Sequence, residues 1–306
     1  MDHYPTWPDR PFTRRDLPGL DRADSDLRRA VRCGEIRQVL RGVYVDTELD
    51  DTLELRARAA GLAARPHHVV TDRTAAWVHG VDAYAFAELD AIPPVEVCAL
   101  RGCEPTTKAG IEARTRDLAP ADVMVLHGVR VTTPLRTALD LGCLLRRREV
   151  YAVLNEFARK HGITVVELRR ALRRYQRRRG VIQLRESIEL VDPRVESQRE
   201  SWTLLAIVDA GLPRPEPQVW VEVDGRPTYR LDLAYPRRRV YVEYDGGEGH
   251  SSPEQRAHDR ARRRWLRDHG WTVIVVREGD FTGDRLDRWI DEVRAALTPG
   301  YSNRRW

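Results

Sequence analysis

The sequence predicts a multidomain α/β protein, and three observations carry that reading. Its 306 residues exceed what one ordinary hydrophobic core encloses, so two or three domains are expected. The first 48 residues pattern as a helix followed by a short hairpin. The last hundred alternate between helix and strand patterns in the order α-β-β-β-α-β. A hydrophobic share of 42% beside 32% charged residues fits water-facing globular domains. No run of 18 apolar residues occurs, and "MDHYPTWPDRPF" lacks an apolar leader core. A cytoplasmic protein without a membrane span is therefore expected.

Residues 1–48 have a compact plan. "DSDLRRAVRCG" offers Asp24 or Ser25 as N-cap, Leu27, Ala30 and Val31 on one face, and Gly34 as a C-terminal stop. "EIRQVLRGVYVD" alternates and holds a glycine turn, so it reads as a β-hairpin. A helix followed by a β-wing is the winged helix-turn-helix plan. Arg28, Arg29 and Arg32 would project from its recognition helix, with Arg37 and Arg41 on the wing, which makes DNA the expected partner.

Residues 49–145 read as mixed α/β. A helix from Thr52 to Ala64 is followed by "HHVVTDRTAAWVHG", the strand "PVEVCAL", the hairpin "VMVLHGVRVTT" and a helix with Pro134 at its first position. The neighbouring His67 and His68 diverge on either a strand or a helix, which makes them poor joint ligands. Cys33, Cys98, Cys103 and Cys143 show no zinc spacing, so buried free thiols are expected.

Residues 146–191 read as a helical, basic linker. Thr164 and Glu167 form a capping box. Arg169, Arg173 and Arg177 repeat at i, i+4 and i+8, as do Arg170, Arg174 and Arg178, giving a cationic face with few local acids. Of 52 basic residues only Lys108 and Lys160 are lysine. The planar guanidinium fork suits phosphate.

Residues 192–306 form the last predicted domain. Asp192 and Pro193 are placed to start a helix that Gly211 and Pro213 end. Three strands come next, then a helix capped by Ser252 that stops at Gly270, then the buried strand "WTVIVV", which pairs in parallel through its helical crossover. With Arg237 and Arg238 at the tip of the second hairpin, Tyr235 faces Val240, Leu233 faces Val242 and Leu231 faces Tyr244. That register sets Asp232 opposite Glu243 and Arg230 opposite Asp245. Opposed like charges destabilise a sheet. The pair can be accommodated by a raised pKa, by arginines, or by a bridging Mg²⁺ or Mn²⁺. Glu196 and Glu200, one turn apart on the preceding helix, can lean over the same place. His250, after the glycine-rich "DGGEGH", could take a proton from a metal-bound water. Arg256, Arg260, Arg263 and Arg267 share one face of the next helix and would hold DNA phosphates.

With "RLDLAYPRRRVYVEYDG", the following histidine and "HDRARRRWLRDHGW", residues 192–297 resemble the restriction-endonuclease-like fold. More narrowly, they resemble the domain-of-unknown-function 559 family, related to very-short-patch repair endonucleases. The resemblance implies metal-dependent phosphodiester hydrolysis, with Asp232 as the metal-binding aspartate, Glu243 and Asp245 on the strand that usually reads (D/E)-x-K, and Glu200 as the helix acid. It also implies metal ligation by Asp232, Glu243 and a backbone carbonyl near Tyr244, with His250 in place of the lysine. Asp245 stands where that lysine would be. "RRAVRCGEIRQVLRGVYV", "VVTDRTAAWVHG" and "VTTPLRTALDL" resemble AbiEi-type antitoxins of type IV toxin–antitoxin systems over residues 8–145. That implies operator binding and a nucleotidyltransferase toxin as partner. The leading expectation is a DNA-binding protein with a metal-dependent endonuclease domain. The alternative is a non-catalytic antitoxin or regulator that uses the nuclease-like fold only for binding.

Overall fold

The computed structural model describes residues 7–64, 67–83, 94–100, 102–107, 110–246 and 253–298. They group into two units: residues 1–145 with 170–184, and residues 146–169 with 185–306. The basic stretch 146–191 is thus shared between them.

In the front unit, β1 (Phe12–Thr13), α1 (Asp24–Cys33), β2 (Ile36–Leu40) and β3 (Val43–Asp46) open the chain. The three strands pair in the order β1-β3-β2. Ala23 is the N-cap of α1, its backbone N–H donating to Asp26 Oδ2 at 2.8 Å, and Gly34 at φ 78° ends the helix. Leu27 and Ala30 are buried as expected, but Val31 is 38% exposed. One 3-10 helix, Arg14–Leu20, precedes α1. The expected helix and the hairpin after it are therefore present, and among the described residues of this segment α1 is the one α-helix.

α2 (Leu53–Ala63) begins after the Thr52 cap. Then come β4 (His68–Val70), α3 (Asp72–Val78), β5 (Val95–Ala99), β6 (Ile111–Thr115), β7 (Val123–Leu126), β8 (Val129–Thr132) and α4 (Pro134–Leu144). The five strands order as β6-β5-β4-β8-β7, mixed in direction. β6 is an element that sequence patterning overlooks, because "IEART" is an exposed edge with little apolar alternation. Leu40 and Val43 of the first hairpin share a core with α2 and this sheet, which fuses residues 1–48 to the mixed α/β segment. His67 precedes β4, and its ring meets that of His68 edge-on at 4.4 Å instead of pointing to the opposite face. Cys98 is buried, but Cys33 and Cys103 are exposed, contrary to the expected burial.

α5 (Arg147–His161), α6 (Val165–Leu172) and α7 (Val181–Leu190) complete the middle of the chain. The Thr164–Glu167 capping box forms, at 2.9 and 3.2 Å. The long arginine helix does not. It turns 3-10 at Arg173–Tyr175, and Arg177 takes φ 66°. Gly180 then passes so close to the backbone of Cys143 that a Cβ would lie 2.2 Å from its carbonyl oxygen, which requires glycine.

The rear unit continues with α8 (Gln198–Asp209), β9 (Glu216–Val223), β10 (Arg226–Tyr235), β11 (Val240–Asp245), α9 (Pro253–Asp268), β12 (Thr272–Arg277) and α10 (Gly283–Leu297). The order is β12-β11-β10-β9, with β11 and β12 parallel. α8 is capped by Ser197, not by Asp192: the Glu200 N–H donates to Ser197 Oγ at 3.1 Å. α10 lies beyond the predicted elements; Trp289, Ile290 and Val293 are its buried stripe. One core joins Leu233, Tyr235, Val240 and Val242 with α8 and α10, and a second places Leu231, Ala234 and Tyr241 against Leu266 of α9. The hairpin is thus covered on both faces, and Leu231 belongs to the second core rather than facing Tyr244 in one apolar stripe.

Candidate functional site

In the rear unit, Tyr235 pairs with Val240 and Leu233 with Val242, as the alternation predicts. That pairing ends at Leu233–Val242, and Asp232, the next residue, lies close enough to Glu243 to feel its charge. Glu243 is only 4% exposed. Its Oε1 accepts from Arg262 Nη2, and its Oε2 from Arg263 Nε at 2.9 Å, while Arg263 Nη2 reaches Asp245 Oδ2 at 2.9 Å. The carboxylates that the sequence leaves uncompensated are therefore met by two consecutive arginines of α9.

Asp232 differs. Burial, reinforced by the nearby charges of Glu200 and Glu243, pushes its carboxyl up to about 7. Glu200 is also raised, chiefly by burial. Its Oε2 accepts from the Glu196 backbone N–H at 3.1 Å and from Gln218 Nε2 at 3.0 Å, so capping is part of its work. Arg230 does not turn to Asp245; it forks onto Glu196 at 2.7 and 3.1 Å and lies opposite Trp220. Asp245 lies opposite Arg277 of β12.

Among the described residues, no three His, Cys, Asp or Glu side chains group so as to hold a metal ion. With both oxygens of Glu243 engaged by guanidinium groups, Asp232 and Glu243 as they stand do not fit a shared Mg²⁺ or Mn²⁺. Tyr244 is half-buried on β11. His250 and the side chain of Arg256 lie outside the described residues. Of the expected phosphate-binding face, Arg260 and Arg267 are exposed, while Arg263 is turned inward. Arg262, which the four-three-four spacing passes over, is the other inward group.

In the front unit a groove of about 560 Å³ is lined by Arg14, Ser25, Leu27, Arg28, Val31, Arg32, Gln38 and Tyr44. Arg28, Arg29 and Arg32 are exposed on α1, Arg28 in a 3.0 Å pair with Asp24. Such an exposed pair contributes little and is readily exchanged for phosphate. Of the hairpin arginines, Arg37 is half-buried and Arg41 exposed. Arg37 Nη2 donates to Leu49 O at 3.2 Å, and the stem of Arg41 lies where a side chain on Gly110 would sit.

A buried ion network in the front unit has no counterpart among the sequence-predicted sites. Asp140 accepts from Arg116 and Arg136 at 2.9 Å each and from Tyr175 Oη and Arg178 at 2.7 Å each. Arg116 also forks onto Asp72 with both bonds at 2.6 Å. Arg136 and Arg174 share Asp122, at 2.8 and 2.7 Å. Two arginines of the expected DNA-facing stripe, Arg174 and Arg178, are therefore structural. Their acids lie 52 and 38 residues away, which is why the stripe looks uncompensated in sequence. Asp72 holds φ 53°, a strained setting for a non-glycine residue that the Arg116 fork fixes.

Residues 68–190 match the AbiEi antitoxin C-terminal domain family. The matched segment contains the network just described. Over 272 residues the chain is 29% identical to an uncharacterized protein of Mycobacterium tuberculosis strain CDC 1551 / Oshkosh, covering 87% of this chain and 96% of that protein. The same values hold for an uncharacterized protein of strain ATCC 25618 / H37Rv. Both units of the chain thus recur together in these relatives. No helix among the described residues is long and apolar enough to cross a membrane.

Proposed function

We propose that the protein is a DNA-binding regulator of the antitoxin type, with the rear unit serving as a non-catalytic platform. The match of residues 68–190 to the antitoxin domain carries this reading. The exposed Arg28, Arg29 and Arg32 on α1, ahead of a hairpin, are the DNA-contacting side chains. A nucleotidyltransferase toxin is the partner the antitoxin resemblance implies. Replacing Arg28, Arg29 and Arg32 together with alanine removes up to three phosphate contacts. The slope of log K against log salt is expected to fall in magnitude by about 2 to 3. An unchanged slope places the DNA elsewhere.

A second reading, a metal-dependent endonuclease, is supported by the α-β-β-β-α-β order and by Asp232, whose carboxyl faces two further acids. It needs Mg²⁺ or Mn²⁺ at Asp232 and Glu243, where the arginines now stand. Incubating the whole chain with duplex, mismatched and single-stranded DNA and Mn²⁺ tests it. Cutting that Asp232→Asn abolishes would make this the better account.

A further inference from the structure

We propose that the guanidinium groups of Arg262 and Arg263 take the place of a divalent cation in the rear unit, holding its acidic cluster shut. The inference rests on the regulator reading, and it concerns what keeps the nuclease-like fold from binding metal. Both oxygens of Glu243 and one of Asp245 accept charge-assisted hydrogen bonds from these two residues. A magnesium or manganese ion needs those same oxygens at about 2.0–2.2 Å in a near-octahedral shell. It could not enter while two positive groups stay within hydrogen-bonding distance of them.

The placement is a rigid one. Arg262 and Arg263 are neighbours on a 16-residue helix that Leu266 and Trp265 anchor against the sheet. Their side chains are only 17% and 15% exposed. Arg262 also lies over the Tyr241 ring at 6.0 Å and is braced by Asp259 at 3.4 Å. Arginine is specifically suited to the position, because one planar fork bridges Glu243 and Asp245 where an ammonium group serves as a single point charge. Three buried polar atoms in this region, Arg262 Nε, Tyr241 Oη and Gln218 Oε1, have no hydrogen-bond partner among the described residues. The site thus retains unsatisfied polarity around the two arginines.

The experiment titrates Mn²⁺ against the full chain and reads the melting temperature and the calorimetric heat. Wild type is expected to show no saturable binding. The Arg262→Gln/Arg263→Gln double variant should bind Mn²⁺ and melt higher by several degrees, by mass action, at concentrations about a hundredfold above Kd. Adding Glu243→Gln should cancel the gain. Saturable Mn²⁺ binding by wild type equal to that of the double variant overturns the proposal, and so does a folded double variant that binds none. If the double variant fails to fold, the single Arg263→Gln decides. It removes one positive charge and frees Glu243 Oε2 and Asp245 Oδ2 while Arg262 stays, so it should bind Mn²⁺ measurably, and no binding overturns the proposal. DNA binding in EDTA, measured on the same samples, reports on the regulator reading separately, because it depends on the front arginines.

Discussion

Asp140→Ala is expected to destabilise the front unit by about 3–5 kcal/mol, as breaking a buried ion pair from one side does. The side chain is 1% exposed and accepts from three arginines and one tyrosine. Removing it strips Arg178 and Tyr175 of their partner and leaves Arg116 and Arg136 with one aspartate each. Against a total stability of about 5–15 kcal/mol, that loss approaches unfolding at 37 °C. Asp140→Asn keeps acceptor capacity on one oxygen and should cost less. Urea denaturation followed through the tryptophans measures both, and an alanine variant within about 1 kcal/mol of wild type would show that the network is dispensable.

The second large effect is on pH dependence. Burial, strengthened by the neighbouring charge of Asp72, pushes Glu96 up from 4.5 to about 7, although the Arg73 backbone N–H donates to its Oε2 at 2.5 Å. A carboxyl raised on folding favours the folded state most below its unfolded value and loses that advantage as pH climbs through the folded one. Wild type should therefore lose about 2–3 kcal/mol from this residue between pH 5 and pH 8. Glu96→Gln keeps the acceptor for Arg73 and cannot ionise, so its stability curve should run flatter, with the variant more stable than wild type at pH 8. Asp232 in the rear unit shifts in the same direction, so the comparison is the difference between the two proteins and not the absolute slope. Parallel curves would mean that Glu96 is ionised in the fold at neutral pH.

The hairpin register of β10 and β11 is legible in the sequence because the tip and the alternating Leu, Val and Tyr leave one pairing that buries them. The parallel β12 is legible from its helical crossover. Helix starts are readable at Thr52 and Thr164, where the caps form, and one helix end at Gly34. The start of α8 is misread, since Asp192–Pro193 resembles a cap, whereas the cap that forms is Ser197, next to the buried stripe. The compensation of Glu243 is half visible. Spacing places Arg263 on a face and suggests a phosphate ligand, but spacing does not say whether that face looks outward. The Asp72, Asp122 and Asp140 network is not legible at all, because Asp72 and Arg116 are 44 residues apart and nothing local marks them as partners. The same blindness makes Arg174 and Arg178 look free.

The regulator account is tested most directly by fluorescence anisotropy of the full chain on duplex DNA spanning the region upstream of its own gene, against a scrambled duplex, in EDTA. The account predicts tighter binding to the upstream duplex without any divalent metal, with the DNA recovered intact after Mn²⁺ is added. No binding in EDTA, together with Mn²⁺-dependent cutting that Asp232→Asn removes, would contradict it.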